Sequence, residues 1–309
     1  MDKIVQRILT ELGDDTLLQK LAALPQSDLN SLWLEINRNQ SKKLTPPALL
    51  KNYAGNRFAV PSEISPLQYC QLETELFSLA QRHTIEGILL SPAAPFGSCS
   101  AFGCVDQNNV VSAVRGTEMV ADPTNMLAIV IADRLKNRKI ENKTPVHYCA
   151  AARAVRAQTF VGKRSFPHFG LFCIVSSGKD AGSYICEKSL LIKQLSYYKD
   201  LFFEKYNAEL HVVLRKRSGY TDSDGFFEKM AELLQTELPD ASFSFDLDHA
   251  DNPYYKGLNF KLYMYRDEEK IEIGDGGFVD WIQQMTGNKK ERCLISGIGL
   301  DRMILQGLI

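Results

Sequence analysis

The sequence predicts an α+β fold: a mostly antiparallel sheet flanked by helices, with a helical appendage at the N-terminus. Three observations lead there. Strand-like runs in the second half follow one another without the regular strand–helix alternation of a doubly wound sheet. Helical periodicity fills residues 1–60, whose texture differs from the rest. The 309 residues, 45% hydrophobic and 24% charged, suffice for one large core with an appendage. We divide the chain into an appendage over 1–62 and a core over 63–309.

In the appendage, Ile4, Val5, Ile8, Leu9 and Leu12 share one helical face, and Gly13 stops the run. Asp14 or Asp15 caps a second short helix bearing Leu17, Leu18 and Leu21. A third starts at Ser27, and Thr45-Pro46-Pro47 opens a fourth that ends near Gly55. The core begins with Ser65-Pro66-Leu67-Gln68, a capping box whose helix runs to about His83. IEGILL and VVSAVRG read as strands on either side of the Pro- and Gly-rich SPAAPFGSCSAFG, and a helix spans about Pro123 to Lys136. VHYCAAARAV and FGLFCIVSSG are two strands joined by a polar loop, followed by a long helix over roughly Ile185–Tyr206. LHVVLRKR, a helix near Phe226–Leu234, and the strands SFSFDLD, LNFKLYMY and KIEIG come next. CLISGIG then enters a terminal helix, LDRMILQGL.

A net charge of −1 weighs against a protein that grips nucleic acid through its phosphates. Seven cysteines are scattered without a CxxC, which fits reduced thiols in a cytoplasmic protein. A metal or redox site at Cys99 and Cys104 is the alternative. The N-terminus has no signal-peptide pattern, and no run is apolar for long enough to span a bilayer.

Two clusters could carry chemistry. Arg153, Arg156, Lys163 and Arg164 lie on a strand–loop–strand with Phe166 and His168 on the return. Cations on such a loop suit a polyphosphate and the aromatic suits a base, although on charge alone a solvated loop explains them. Gly297-Ile298-Gly299-Leu300-Asp301-Arg302 sits where a strand turns into a helix, with Arg302 in the first turn.

Together these clusters resemble the second and third motifs of class II aminoacyl-tRNA synthetases, histidyl branch. The resemblance puts Arg156 on the ATP α-phosphate and Arg302 on the γ-phosphate. The run Arg164-Ser165-Phe166-Pro167-His168-Phe169-Gly170 is similar to the branch's Arg-Gln-Phe-His-Gln-Leu-Gly, which sets Phe166 against adenine, with Arg164 and Gln158 at the same nucleotide. Asp122-Pro123-Thr124 resembles its Pro-Glu-Gly-Thr segment, where the acid and Thr124 face the substrate amino group. Asp122 as a plain helix cap is equally consistent with the residues. Tyr254-Tyr255-Lys256-Gly257 and Gly276-Gly277-Phe278-Val279-Asp280 resemble its Tyr-Tyr-Thr-Gly and Gly-Gly-Arg-Tyr-Asp elements. Alone, each of these would read as packing in a strand and a turn. All five pieces occur in family order over roughly residues 63–309.

The departures are informative. The Glu that follows the second-motif Arg is Gln158 here. An Arg four residues before Tyr-Tyr is Ala250, and the Gln that reads the imidazole is His168. The chain closes in the third-motif helix, with no anticodon-binding domain after it. The resemblance therefore implies ATP and Mg²⁺ as cofactors and a small carboxylate, an amino acid other than histidine, as substrate. It also implies a homodimer through residues 66–95 and no ordinary tRNA charging. A non-catalytic regulatory paralogue, like the regulatory subunit of ATP phosphoribosyltransferase, is the alternative.

Overall fold

The computed structural model describes residues 2–141, 144–158, 167–247, 252–266 and 269–307. Four helices open the chain: α1 (Lys3–Leu12), α2 (Leu17–Ala22), α3 (Gln26–Ser41) and α4 (Pro46–Gly55). Their ends follow local chemistry. Asp2 accepts from the Ile4 amide, Gly13 takes the left-handed conformation with φ 68° to close α1, and Thr45 caps α4 ahead of Pro46. Leu9 alone among the described residues of these helices is buried. Polar contacts tie this region to the rest of the molecule. The Gly116 amide donates to Asn30 (3.3 Å), and Arg57 donates to the carbonyls of Ala157 and Gln158.

The core follows: α5 (Pro66–Arg82), β1 (Glu86–Gly87), β2 (Ala93–Pro95), β3 (Ser112–Ala113), β4 (Thr117–Met119), α6 (Pro123–Lys136), β5 (Val146–Val155) and β6 (His168–Lys179). It continues with α7 (Ile185–Tyr206), β7 (His211–Lys216), α8 (Ser223–Glu237), β8 (Ser242–Asp246), β9 (Lys256–Arg266), β10 (Glu269–Val279), α9 (Trp281–Thr286), β11 (Glu291–Gly299) and α10 (Leu300–Leu305). Eight strands form one sheet in the order β1-β5-β6-β11-β10-β9-β7-β8. The outermost pairs, β1 with β5 and β7 with β8, are parallel; every pairing between them is antiparallel. A small sheet of β2, β4 and β3 stands apart. The α+β class with a mostly antiparallel sheet is the one expected.

Strand alternation places one core on each face of the large sheet. Phe172 and Ile174 on β6 and Leu294 and Ile298 on β11 pack with α5, α7 and α8. Their neighbours Cys173, Val175, Cys293 and Ile295 pack with α6 and α9. The first layer covers the sheet broadly. The second layer does not cover all of its face, and the cleft described below opens there.

Two local expectations change, and one helix was not foreseen. IEGILL pairs only at Glu86–Gly87, because the following segment leaves the sheet and Leu89 is fully exposed. Gly276 and Gly277 lie within β10 and not in a turn. A Cβ on Gly276 would come within 2.5 Å of the Ile295 carbonyl oxygen and the Phe260 ring, so close strand packing demands glycine there. Helix α9 went unread because Trp281–Thr286 is too short for a helical period to show.

Candidate functional site

The cleft lies on the α6 side of the sheet and has a volume of about 750 Å³. Its floor is β6, β11 and β10, where Cys173 and Gly297 keep the surface low. Arg156 reaches it from just beyond β5, and Arg302 from the first turn of α10. Asp122, Thr124, Tyr254 and Tyr255 line it as well.

Each cation is held by neighbours far away in sequence. Arg156 donates from Nε to the Ala121 carbonyl (2.9 Å), lies 3.8 Å from Asp122 Oδ2 and sits 5.2 Å above the Phe169 ring. Arg302 donates from Nη1 to the Glu272 carbonyl (2.8 Å). Asp122 serves two roles with two oxygens. Oδ1 caps α6, accepting from the Thr124 amide (2.9 Å) and hydroxyl (2.7 Å), while Oδ2 faces Arg156. Capping therefore occupies one oxygen and leaves the other towards Arg156.

A β-bulge in β10 shapes the opposite wall. Glu272 pairs with Tyr263 and Gly274 with Leu262, so Ile273 is the extra residue. In a regular strand only alternate residues face one side. Here Glu272 and Asp275, three residues apart, share the cleft face, while Ile273 packs into the core on the other side. Glu272 accepts from Lys261 (2.6 Å) and Tyr263 (3.3 Å). Asp301 accepts from the Gly170 amide (2.8 Å) and lies 3.6 Å from Arg153. Asp275 accepts only from Tyr255, at 3.5 Å, among the described residues. Its side chain opens into the cleft. The surrounding protein still raises its carboxyl to about 6, first by desolvation and then through the Asp122 and Glu272 carboxylates. Tyr254 and Tyr255 pack edge-to-face, 4.8 Å between centroids, and Tyr254 also packs against Trp281. Burial holds both phenols well above their ordinary range.

Of the residues singled out from the sequence, Arg156, Arg302, Asp122, Thr124, Tyr254, Tyr255 and Gly276 meet at this cleft. Gly277 and Gly257 lie behind it. A Cβ on Gly277 would strike Tyr255, and Gly257 turns at φ 69° beneath Phe226 and Tyr220. His168, read from the sequence as a substrate contact, does not line the cleft. Arg153 donates to its Nδ1 (2.7 Å), and its Nε2 donates to the Val60 carbonyl (2.6 Å). That segment precedes the core and gave no sign in the sequence of reaching β6. Gln158 meets Arg57 through its carbonyl and does not line the cleft. Phe166, Arg164 and Ala250 lie outside the described residues.

Sequence reading passed over Asp275, Glu272, Asp301 and Phe169. A carboxylate set between glycines in a strand, Gly274-Asp275-Gly276, was the available signal for the first. It also missed Glu118, which is buried and accepts from the Gly97 amide (2.8 Å) and Gln107 (2.9 Å), tying down the loop beside Asp122. Cys99 is buried and Cys104 exposed, and no group of three metal-ligating side chains occurs among the described residues.

Solved structures with the same fold are found among the histidyl-tRNA synthetase-like class II proteins. An ATP phosphoribosyltransferase regulatory subunit/histidyl-tRNA synthetase from Bacillus halodurans superposes with a TM-score of 0.61 at 12% identity, covering 82% of this chain and 83% of that one. The apo histidyl-tRNA synthetase of S. aureus gives 0.59 at 12% identity over 80% and 69% of the two chains. The histidyl-tRNA synthetase of Nostoc sp. PCC 7120 gives 0.54 at 15% identity over 82% and 75%. No family model matches the sequence, and no curated protein matches it. At these identities the likeness is one of fold: this chain has a histidyl-tRNA synthetase-like class II fold.

Proposed function

We propose that the protein binds ATP in this cleft and activates a small carboxylate as its adenylate. The substrate is an amino acid other than histidine, and ordinary tRNA charging is not its task. The observation that carries this reading is the meeting of Arg156 and Arg302 on one cleft with Asp122, Tyr254 and Tyr255. In the reaction, a substrate carboxylate oxygen attacks the α-phosphorus. The bond to the bridging β-phosphate oxygen breaks, and pyrophosphate leaves. No side-chain nucleophile is required, so the protein's work is to position the reactants and stabilise charge. Arg156 holds the α-phosphate and Arg302 the γ-phosphate, each with a planar guanidinium that matches phosphate oxygens. The motif resemblance assigns adenine to Phe166, and Asp122 Oδ2 takes the substrate ammonium.

Mg²⁺ fits as a companion of the nucleotide. It draws most of its ligands from phosphate and water and needs only one or two protein carboxylates. Glu272 lies beside Arg302, and its Oε2 is engaged with Lys261. It is the carboxylate suited to share the ion, which would neutralise phosphate charge. ATP–pyrophosphate exchange across a panel of amino acids tests the proposal: exchange above background with at least one of them supports it, and none with any removes it.

One observation favours a second reading, a regulatory paralogue that binds without turnover. Both arginines already hold protein carbonyls, which a bound phosphate would have to displace or share. ATP binding without exchange would select that reading.

The dimer belongs with this proposal. Leu72, Leu76 and Leu79 of α5 are spent on this chain's own core, whereas Leu67 and Leu89 remain exposed at 77% and 98%. Those two would meet a second copy, and light scattering at micromolar concentration should report a dimer. No helix among the described residues is long and apolar enough to cross a membrane. The cytoplasmic location expected from the scattered thiols is part of the same proposal.

A further inference from the structure

The acids of the cleft differ in how they are matched. Asp122 faces Arg156, Glu272 holds Lys261, and Asp301 lies beside Arg153. Asp275 has no cation at ion-pair distance among the described residues, Lys261 and Arg156 acting on it only from farther away; its one hydrogen-bond partner among them is the Tyr255 hydroxyl, at 3.5 Å. It stands on the floor strand, at the end walled by Tyr254 and Tyr255. Both phenol rings are packed against other aromatics and so present fixed faces. An aromatic wall beside an unmatched carboxylate is the usual surrounding of a bound ammonium or guanidinium. Asp301, by contrast, is 4% exposed and is engaged by the Gly170 amide and Arg153. The volume of about 750 Å³ lies within the range of ligand pockets and leaves room beyond a nucleotide for a side chain.

We propose that Asp275 is a specificity-determining residue that pairs with a cationic group on the ligand's side chain, so that the cleft takes a basic amino acid. This rests on the reading of the cleft as an amino-acid site. A neutral side chain would seal Asp275 from water without a counter-charge, whereas a terminal ammonium or guanidinium would supply it. The carbon stem of such a ligand would lie along Tyr254 and Tyr255. Asp122 Oδ2 keeps the α-ammonium, so two carboxylates read two cations at a separation set by the cleft.

The test is calorimetric titration of the full chain with L-lysine, L-ornithine and L-arginine against L-norleucine and L-glutamine, with ATP titrated separately. At least one cationic amino acid should bind about tenfold or more tighter than norleucine. In Asp275→Asn that preference should fall about tenfold, with norleucine binding changed by less than about twofold. The wild-type preference stands as evidence even if the variant folds poorly. Equal binding of neutral and cationic ligands, no binding of any cationic one, or a preference that survives Asp275→Asn would each overturn the assignment. ATP binding with no basic preference would overturn this inference and leave the nucleotide reading intact. A basic preference without ATP binding would support this inference and remove the nucleotide reading.

Discussion

The two ends of the cleft handle charge in opposite ways. At one end, Arg156 and Arg302 are held by the backbone carbonyls of Ala121 and Glu272. Neutral acceptors orient a guanidinium without cancelling its charge, so Arg302 keeps most of its field for an anion, whereas Arg156 shares part of its own with Asp122 Oδ2 at 3.8 Å. At the other end, Asp275 has no cation at ion-pair distance among the described residues; Lys261 and Arg156 act on it only from farther away, and desolvation and neighbouring carboxylates raise its carboxyl to about 6. One end is prepared and stable, the other prepared and penalised. A binding site that holds charge in both ways is suited to a ligand anionic at one end and cationic at the other.

The largest expected effect breaks the first half of this contrast. Arg156→Ala should lower ATP–pyrophosphate exchange by about 10²–10³-fold, the usual loss for removing one donor to a developing anion. The fold should survive, since the side chain is 30% exposed. Circular dichroism beside the exchange assay checks both. Arg302→Lys should cost about 10–100-fold in the same assay, because a point charge cannot reproduce a planar fork.

A substitution on the floor tests whether the acid end is built as tightly as it looks. Gly276→Ala places a methyl within 2.5 Å of the Ile295 carbonyl oxygen. It should cost about 1–3 kcal/mol of stability, read as a lower urea midpoint.

The pH dependence of stability sharpens the contrast itself. The folded-state value of Asp275, about 6, lies above the ordinary 3.8, so the native protein binds this proton more tightly than the unfolded chain does. Stability from this group is therefore fully present below about pH 3.8 and is lost as pH rises through about 6. Asp275→Asn carries no ionisation penalty. Its melting temperature should exceed that of the wild type at pH 8, and the difference should vanish near pH 4. A gain that does not change with pH would mean Asp275 is not the penalised group.

The smallest effect is expected farthest from the cleft. Deletion of residues 1–60 removes helices in which Leu9 alone is buried among the described residues, along with the Val60 carbonyl that holds His168. ATP affinity should change by less than about twofold, near the limit of what remote sites share. Loss of ATP binding in a still-folded truncation would show that the appendage belongs to the site.

Much of the fold was legible in the sequence because its causes are local. Asp122-Pro123-Thr124 caps α6 with a side chain two residues away, and Ser65 and Pro66 start α5 in the same manner. Gly13 closes α1 through its own backbone angle. The apolar runs of β5, β6 and β11 announced strands buried on both faces. The ordered motifs named Arg156 and Arg302, which do meet at the cleft. Only the tertiary structure could decide which charges are matched. Asp301 meets Arg153, His168 meets Val60 and Glu272 meets Lys261, each across a distance no periodicity encodes. The bulge at Ile273, which turns Asp275 into the cleft, depends on the register between β9 and β10. An electrostatic penalty belongs to a three-dimensional neighbourhood, so the sequence shows that an aspartate is present, and the fold determines that no cation among the described residues pairs with it.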